Sequence, residues 1–294
     1  VALADGIFGI SNGSLIVLDL NRLIDRVCDL VSLPDVYMRL RRALADPKSD
    51  LGSVAAILET DPAVAARLLR VANSPLFGFA AKVDSVSRAV TLLGTQRVHD
   101  LVLSTTIATM FKGLNYDATN VYQFWKTSVL RASAAKILAQ EAGIKSSSDR
   151  LFLLGLLSDI GHLVLYEHEA RQMQAVYTHS SDKQIPLYQA ERDLLGFDYA
   201  AVGSQLAERW KMPELFVGVI GEHVTPDQDS SYALETCIVH TAWAIAVEPF
   251  EAEACYASLS PVVLDTLEPT SEQLAALREA AEGMVGETLS LIYS

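Results

Sequence analysis

"FLLGLLSDIGHLVLY", residues 152–166, decides how the chain is read. Its apolar residues belong to a helix expected over 150–167, interrupted by the dipeptide Ser158-Asp159 and followed by Gly161 and His162. Asp159 and His162 are three residues apart, a spacing that puts both on one face of a helix. A carboxylate and an imidazole on one face of an apolar helix admit two readings. One is a partly buried polar patch in which Asp159 bonds to backbone or to histidine. The other is a pair of metal ligands, completed from another helix by His223 in Gly221-Glu222-His223.

Outward from this stretch the period stays helical. Leu51, Val54, Ala55 and Leu58 fall on one face. Asp61-Pro62 reads as an N-cap followed by proline at the first helical position, and Asn73-Ser74-Pro75 ends that helix. Val86, Ala89, Val90 and Leu93 form another short helix with Gly94 just past its end. Further helices are expected over 121–142, 169–180, 186–195, 199–211, 213–222 and 234–247. Thr270-Ser271-Glu272-Gln273 fits a capping box for a last amphipathic helix. Alternating strand patterns with hairpin dipeptides are almost absent. The fold class is therefore all-α and multi-helical. The expected division is a flexible tail over 1–14, an N-terminal helical lobe over 15–116, a second helical lobe over 117–250 and a C-terminal helical extension over 251–294. The polar, turn-prone segment 113–120 forms the seam.

The formal net charge of −13 disfavours a general attraction to DNA, RNA or anionic lipid. Three cysteines, Cys28, Cys237 and Cys255, are odd in number and widely spaced, as expected of reduced thiols in the cytoplasm. No run reaches the roughly 18 consecutive apolar residues of a membrane span, and the start lacks the pattern of a signal peptide. The chain does not begin with Met, so it reads as a fragment of something longer, in which any upstream sensory or receiver domain lies outside the given sequence.

The phosphate-binding GxxxxGK[ST] loop, HExxH and the GxSxG elbow are missing, so no cofactor is expected. A literal His99-Asp100 pair is expected on a solvated helix face, because adjacent helical residues point about 100° apart. His240, inside an apolar helix, reads as a satisfied core histidine.

Taken in order, several landmarks resemble the HDOD family, the HD-related output domain of bacterial signalling proteins. They are Asp61-Pro62-Ala63, Leu68-Leu69-Arg70-Val71-Ala72-Asn73-Ser74, "SVSRAVTLLG" over 85–94, Phe124-Trp125, Gly155-Leu156-Leu157-Ser158-Asp159-Ile160-Gly161, Glu191, Gly196, Trp210, Met212-Pro213 and His223. The likeness spans roughly residues 23–247. It implies an HD-like helical scaffold related to metal-dependent phosphohydrolases, in which the metal ligands are often lost. Mapped onto that pattern, Thr127, Ser158, Tyr199, Val224 and Trp243 stand at ligand positions, while Asp159 and His223 are kept.

No catalytic residue and no bound metal are therefore expected. The residual candidates are Asp159, His162, Asp198 and His223. The expected function is a non-catalytic signal-transduction module that contacts other signalling proteins or an attached sensory or receiver domain. The alternative is a metal-dependent phosphohydrolase acting on a nucleotide or cyclic dinucleotide.

Overall fold

The computed structural model describes residues 18–30, 34–74, 77–79, 81–110 and 118–293. The expected tail over 1–14 and most of the seam over 113–120 lie outside these. Every regular element among the described residues is helical, as the pattern predicts.

The N-terminal helices are α1 (Leu20–Leu30), α2 (Asp35–Ala45), α3 (Leu51–Glu59), α4 (Pro62–Ala72), α5 (Val86–Leu93) and α6 (Thr95–Met110). Local chemistry sets their ends. The Asp61 carboxylate accepts from the backbone N–H groups of Ala63 and Val64, with Pro62 at the first turn. Gly94 closes α5 at φ +77°. Asn73 stops α4 and does more: its amide donates to the Leu69 and Val83 carbonyls, both at 2.7 Å, and accepts from Val83 N–H at 2.8 Å. One side chain thus pins the loop back onto the helix it terminates.

The second set is α7 (Ala118–Glu141), α8 (Ser148–Leu157), α9 (Ile160–His168), α10 (Ala170–Lys183), α11 (Leu187–Leu195), α12 (Tyr199–Arg209), α13 (Glu214–Glu222) and α14 (Ala233–Ala244). The extension folds as α15 (Ala252–Ser258), α16 (Pro261–Leu267) and α17 (Ser271–Tyr293). Its capping box is reciprocal: Gln273 N–H donates to the Thr270 hydroxyl and Thr270 N–H to the Gln273 side-chain carbonyl. The buried face of α17, with Leu274, Leu277, Ala281, Val285 and Leu289, packs chiefly on α7. By length and composition the 148–168 segment passes for a membrane-crossing helix, but it is mostly buried in the core.

Two expectations need correction. The single helix over 150–167 is two, because the chain turns at Ser158-Asp159. The turn brings Gly161 so close to α12 that a Cβ there would lie 2.0 Å from the Tyr199 carbonyl oxygen. The His99-Asp100 pair is buried, not solvated. His99 bonds Tyr37 Oη at 3.0 Å and the Asp100 carboxylate at 2.9 Å, and Asp100 also accepts from Gln96 and Arg150. Arg150 opens α8, so this network ties α2 and α6 to the second lobe. A buried carboxylate needs such partners: His99 and Gln96 come from its own helix and Arg150 from 50 residues away.

Gly161→Ala should destabilise the fold by about 3 kcal/mol or more, since backbone blocks the new methyl. Asn73→Ala should cost about 1–2 kcal/mol through its lost hydrogen bonds. Chemical denaturation midpoints check both, and equal effects would contradict the close α9–α12 approach.

Candidate functional site

Helix α7 carries Arg131 within Val129-Leu130-Arg131-Ala132-Ser133-Ala134-Ala135, a run with no other charge. Arg131 is 3% exposed. Its guanidinium meets the Asp159 carboxylate at the α8–α9 turn, and a second nitrogen donates to Ser128 Oγ at 3.1 Å. The crossing is close enough that a Cβ on Gly155 of α8 would lie 2.9 Å from the Arg131 carbonyl oxygen. The backbone approach and the ion pair are thus two consequences of one helix crossing.

Asp159 has two further neighbours. His162 Nδ1 lies 3.6 Å from Oδ2, and His223 Nε2 lies 3.6 Å from Oδ1, both beyond a direct hydrogen bond. Burial would raise the Asp159 pKa, but the Arg131 charge and the His162 imidazole outweigh it and hold the carboxyl well below its usual value.

The rest of the cluster is organised around His162. Its Nε2 faces Glu191 Oε1 at 3.2 Å, and the other Glu191 oxygen accepts Tyr199 N–H at 2.8 Å. Burial opposes a charge on His162, but Glu191 and Asp159 prevail and raise its pKa to about 9. The Tyr199 ring stacks on His162 with centroids 3.7 Å apart, and its hydroxyl reaches His223 Nε2 at 3.1 Å. His223 Nδ1 lies 2.7 Å from the Ile220 carbonyl, so that nitrogen carries the proton and Nε2 accepts from Tyr199. His240 is the satisfied core histidine its sequence setting suggests. Its Nδ1 donates to the His223 carbonyl at 2.6 Å, and its Nε2 accepts from Ser260 N–H at 3.3 Å. Burial depresses its pKa to about 4.

Of the four candidates, the structure brings together Asp159, His162 and His223. Asp198 serves elsewhere: it caps α12 through Ala201 N–H and pairs with Arg192 at 2.6 Å. Arg131 was missed by sequence reasoning, and Glu191 was noted only as a landmark. The signal for Arg131 was its isolation among apolar and small residues, which implies a buried cation in need of a carboxylate. An open cleft of about 440 Å³ leads to the cluster, lined by Phe124, Thr127, Arg131, Asp159, His162 and Tyr166, among others.

The arrangement defines a helical HD-like domain whose polar centre is closed by internal pairing. The chain belongs to the HDOD domain family, whose model matches residues 30–226. Among curated proteins, an uncharacterized protein of Treponema pallidum (strain Nichols) is 24% identical over 200 residues, which is 68% of this chain and 38% of that protein's length. The chain thus spans well under half of that relative. An HDOD domain protein of unknown function from Geobacter sulfurreducens superposes with a TM-score of 0.66 at 23% identity, covering 90% of this chain and 97% of that one. A protein from Shewanella amazonensis SB2B named as a candidate phosphohydrolase gives 0.69 at 23% identity, covering 92% and 97%. At these identities the structural likeness concerns the fold.

The donor set does not fit the metal of an HD-type phosphohydrolase. Ser158 turns its hydroxyl back to the Gly155 carbonyl at 3.1 Å, Tyr199 and Val224 are buried, and Thr127 only lines the cleft. Among the described residues, no three His, Cys, Asp or Glu side chains are grouped to hold a metal ion.

Arg131→Met should destabilise the fold by about 3–5 kcal/mol, because it strands a buried carboxylate. Combining it with Asp159→Leu should cost clearly less than the sum of the single changes. A double-mutant cycle from urea unfolding measures the difference, and additivity would refute the coupling.

Stability should also depend on pH at two histidines. The His162 pKa of about 9 lies above its ordinary value of 6.5, so its contribution is complete below pH 6.5 and is lost as pH rises through 9. His240, depressed to about 4, contributes fully above pH 6.5, and that contribution is lost as pH falls towards 4. Unfolding midpoints across pH should lose the alkaline slope in His162→Gln and the acidic slope in His240→Gln.

Proposed function

We propose that this chain is a non-catalytic signal-transduction module that works through protein–protein contacts in the cytoplasm, under the control of an attached sensory or receiver domain. One observation carries the reading: the kept carboxylate, Asp159, is neutralised by Arg131 from its own protein. A hydrolase that activates water with a metal needs that carboxylate as a ligand. The 38% coverage of the Treponema protein supports a module carried within larger proteins.

The second reading, a phosphohydrolase acting on a nucleotide or cyclic dinucleotide, draws on the name of the Shewanella neighbour and on the cleft. Protein purified without chelator separates the two. The module reading expects substoichiometric metal and no turnover of cyclic dinucleotides or nucleotide phosphoesters above background with Mn²⁺ or Mg²⁺ added. Stoichiometric metal together with hydrolysis abolished by Asp159→Ala would establish the enzyme instead.

A further inference from the structure

We propose that α1 is a releasable clamp: docked, its consecutive residues Asp25 and Arg26 hold the C-terminal ends of α9 and α12 together, and its withdrawal loosens the central cluster that those two helices carry. The inference rests on the reading of the chain as a module under an attached sensory or receiver domain, and names the element through which that domain acts.

The family match begins only at residue 30, where α1 ends. In sequence α1 adjoins the first lobe, yet it packs chiefly on α12 of the second. Its apolar residues Leu23, Ile24 and Val27 are each no more than 1% exposed. The charges beside them reach two different helices. The Asp25 carboxylate meets Arg209, the last residue of α12. Arg26 donates to Glu169 at 2.5 Å, and Glu169 is the buried corner residue between α9 and α10.

α9 and α12 already touch at their other ends. Gly161 of α9 lies against the Tyr199 carbonyl, and a Cβ on Gly203 would lie 3.3 Å from the Ile160 side chain. The same ends carry His162 and Tyr199, whose rings stack with centroids 3.7 Å apart. The two helices thus form a pair with the cluster at one end and α1 across the other. Helices of 9 and 11 residues move as rigid bodies, so a tie lost at one end changes the packing at the other.

α1 is also built for release. A helix of 11 residues is marginal by itself in water, so α1 is helical because it is docked. Both of its ion-pairing side chains are more than half exposed. A short apolar stripe and two such pairs place it at the low end of local stability.

Hydrogen exchange read by mass spectrometry on the full chain tests the clamp. The proteins are wild type, the double reversal Asp25→Arg with Arg26→Glu, and the compensated swap Asp25→Arg with Arg209→Asp. Wild-type α1 should exchange roughly tenfold faster than α7 or more, through an opening that leaves α7 folded. The double reversal should speed α1 about a further tenfold, and residues 160–163 and 199–203 about threefold, with α7 unchanged. The swap should bring all of these back to within about twofold of wild type. If far-UV circular dichroism shows the double reversal unfolded, Arg26→Gln replaces it, with a smaller shift in the same direction.

The clamp is overturned if α1 and α7 exchange together in the wild type or in the double reversal, which makes α1 an ordinary part of the core. It is equally overturned if α1 loosens while residues 160–163 and 199–203 keep their wild-type rates, or if the swap restores nothing. Phosphoester turnover by the wild type would remove the non-catalytic reading and leave the clamp standing. An inert wild type with any of the exchange failures above would remove the clamp alone.

Discussion

The contact between Arg131 and Asp159 fixes the centre of this domain. A buried charge is tolerated only with a partner, and each of these supplies the other's. The pair forms because α7 and α8 cross with backbone almost touching at Gly155, and because α8 ends one turn later so that Asp159 sits at a bend. A continuous helix would place that residue in a regular turn. The bend aims its carboxylate at α7 and, in the same step, lays Gly161 against the Tyr199 backbone of α12.

From that centre, polar and ring contacts run outward in a fixed order. Asp159 faces His162 and His223, His162 leans on Glu191 and Tyr199, and the His223 backbone receives the His240 proton. His240 then accepts from Ser260 in the extension. In that extension Arg278 of α17 donates to the Ile245 carbonyl at the end of α14. The C-terminal helices are thereby wired to the same cluster, although the family match stops at residue 226. Each histidine is held in one role by what its other nitrogen touches, so a change at one is transmitted through geometry to the next.

Much of the fold was legible because its signals are local. The Asp61-Pro62 start, the Gly94 stop and the capping box at Thr270 depend on residues within a turn of one another, and each forms as expected. What escaped depends on distant partners. The break at Ser158-Asp159 follows from tertiary packing of Gly161, in a stretch whose composition suits an unbroken helix. The burial of His99-Asp100 depends on Tyr37 and Arg150, 62 and 50 residues away. At the site, the spacing of Asp159 and His162 announced a pairing, but the decisive cation lies 28 residues upstream on another helix. Nothing near Asp159 in the sequence points to it.

On the proposed reading, in which Asp159 is a kept ligand position and its neighbours are not, the physics of substitution explains how one carboxylate can stand among them. A metal ion needs several donors in a fixed geometry, so losing one weakens the site and losing most abolishes it. A guanidinium needs only the carboxylate itself, and brings its charge on a chain already anchored in a helix. Once Arg131 neutralises Asp159, the remaining positions no longer have to present nitrogen or oxygen. They can be filled for packing, as Val224 and the Tyr199 ring are, or turned inward, as Ser158 is. Asp159 cannot be released in the same way, because its loss would leave Arg131 buried without its anion. The pair is then self-maintaining: each residue makes the other costly to change, while the side chains around it are held by packing and by their own hydrogen bonds.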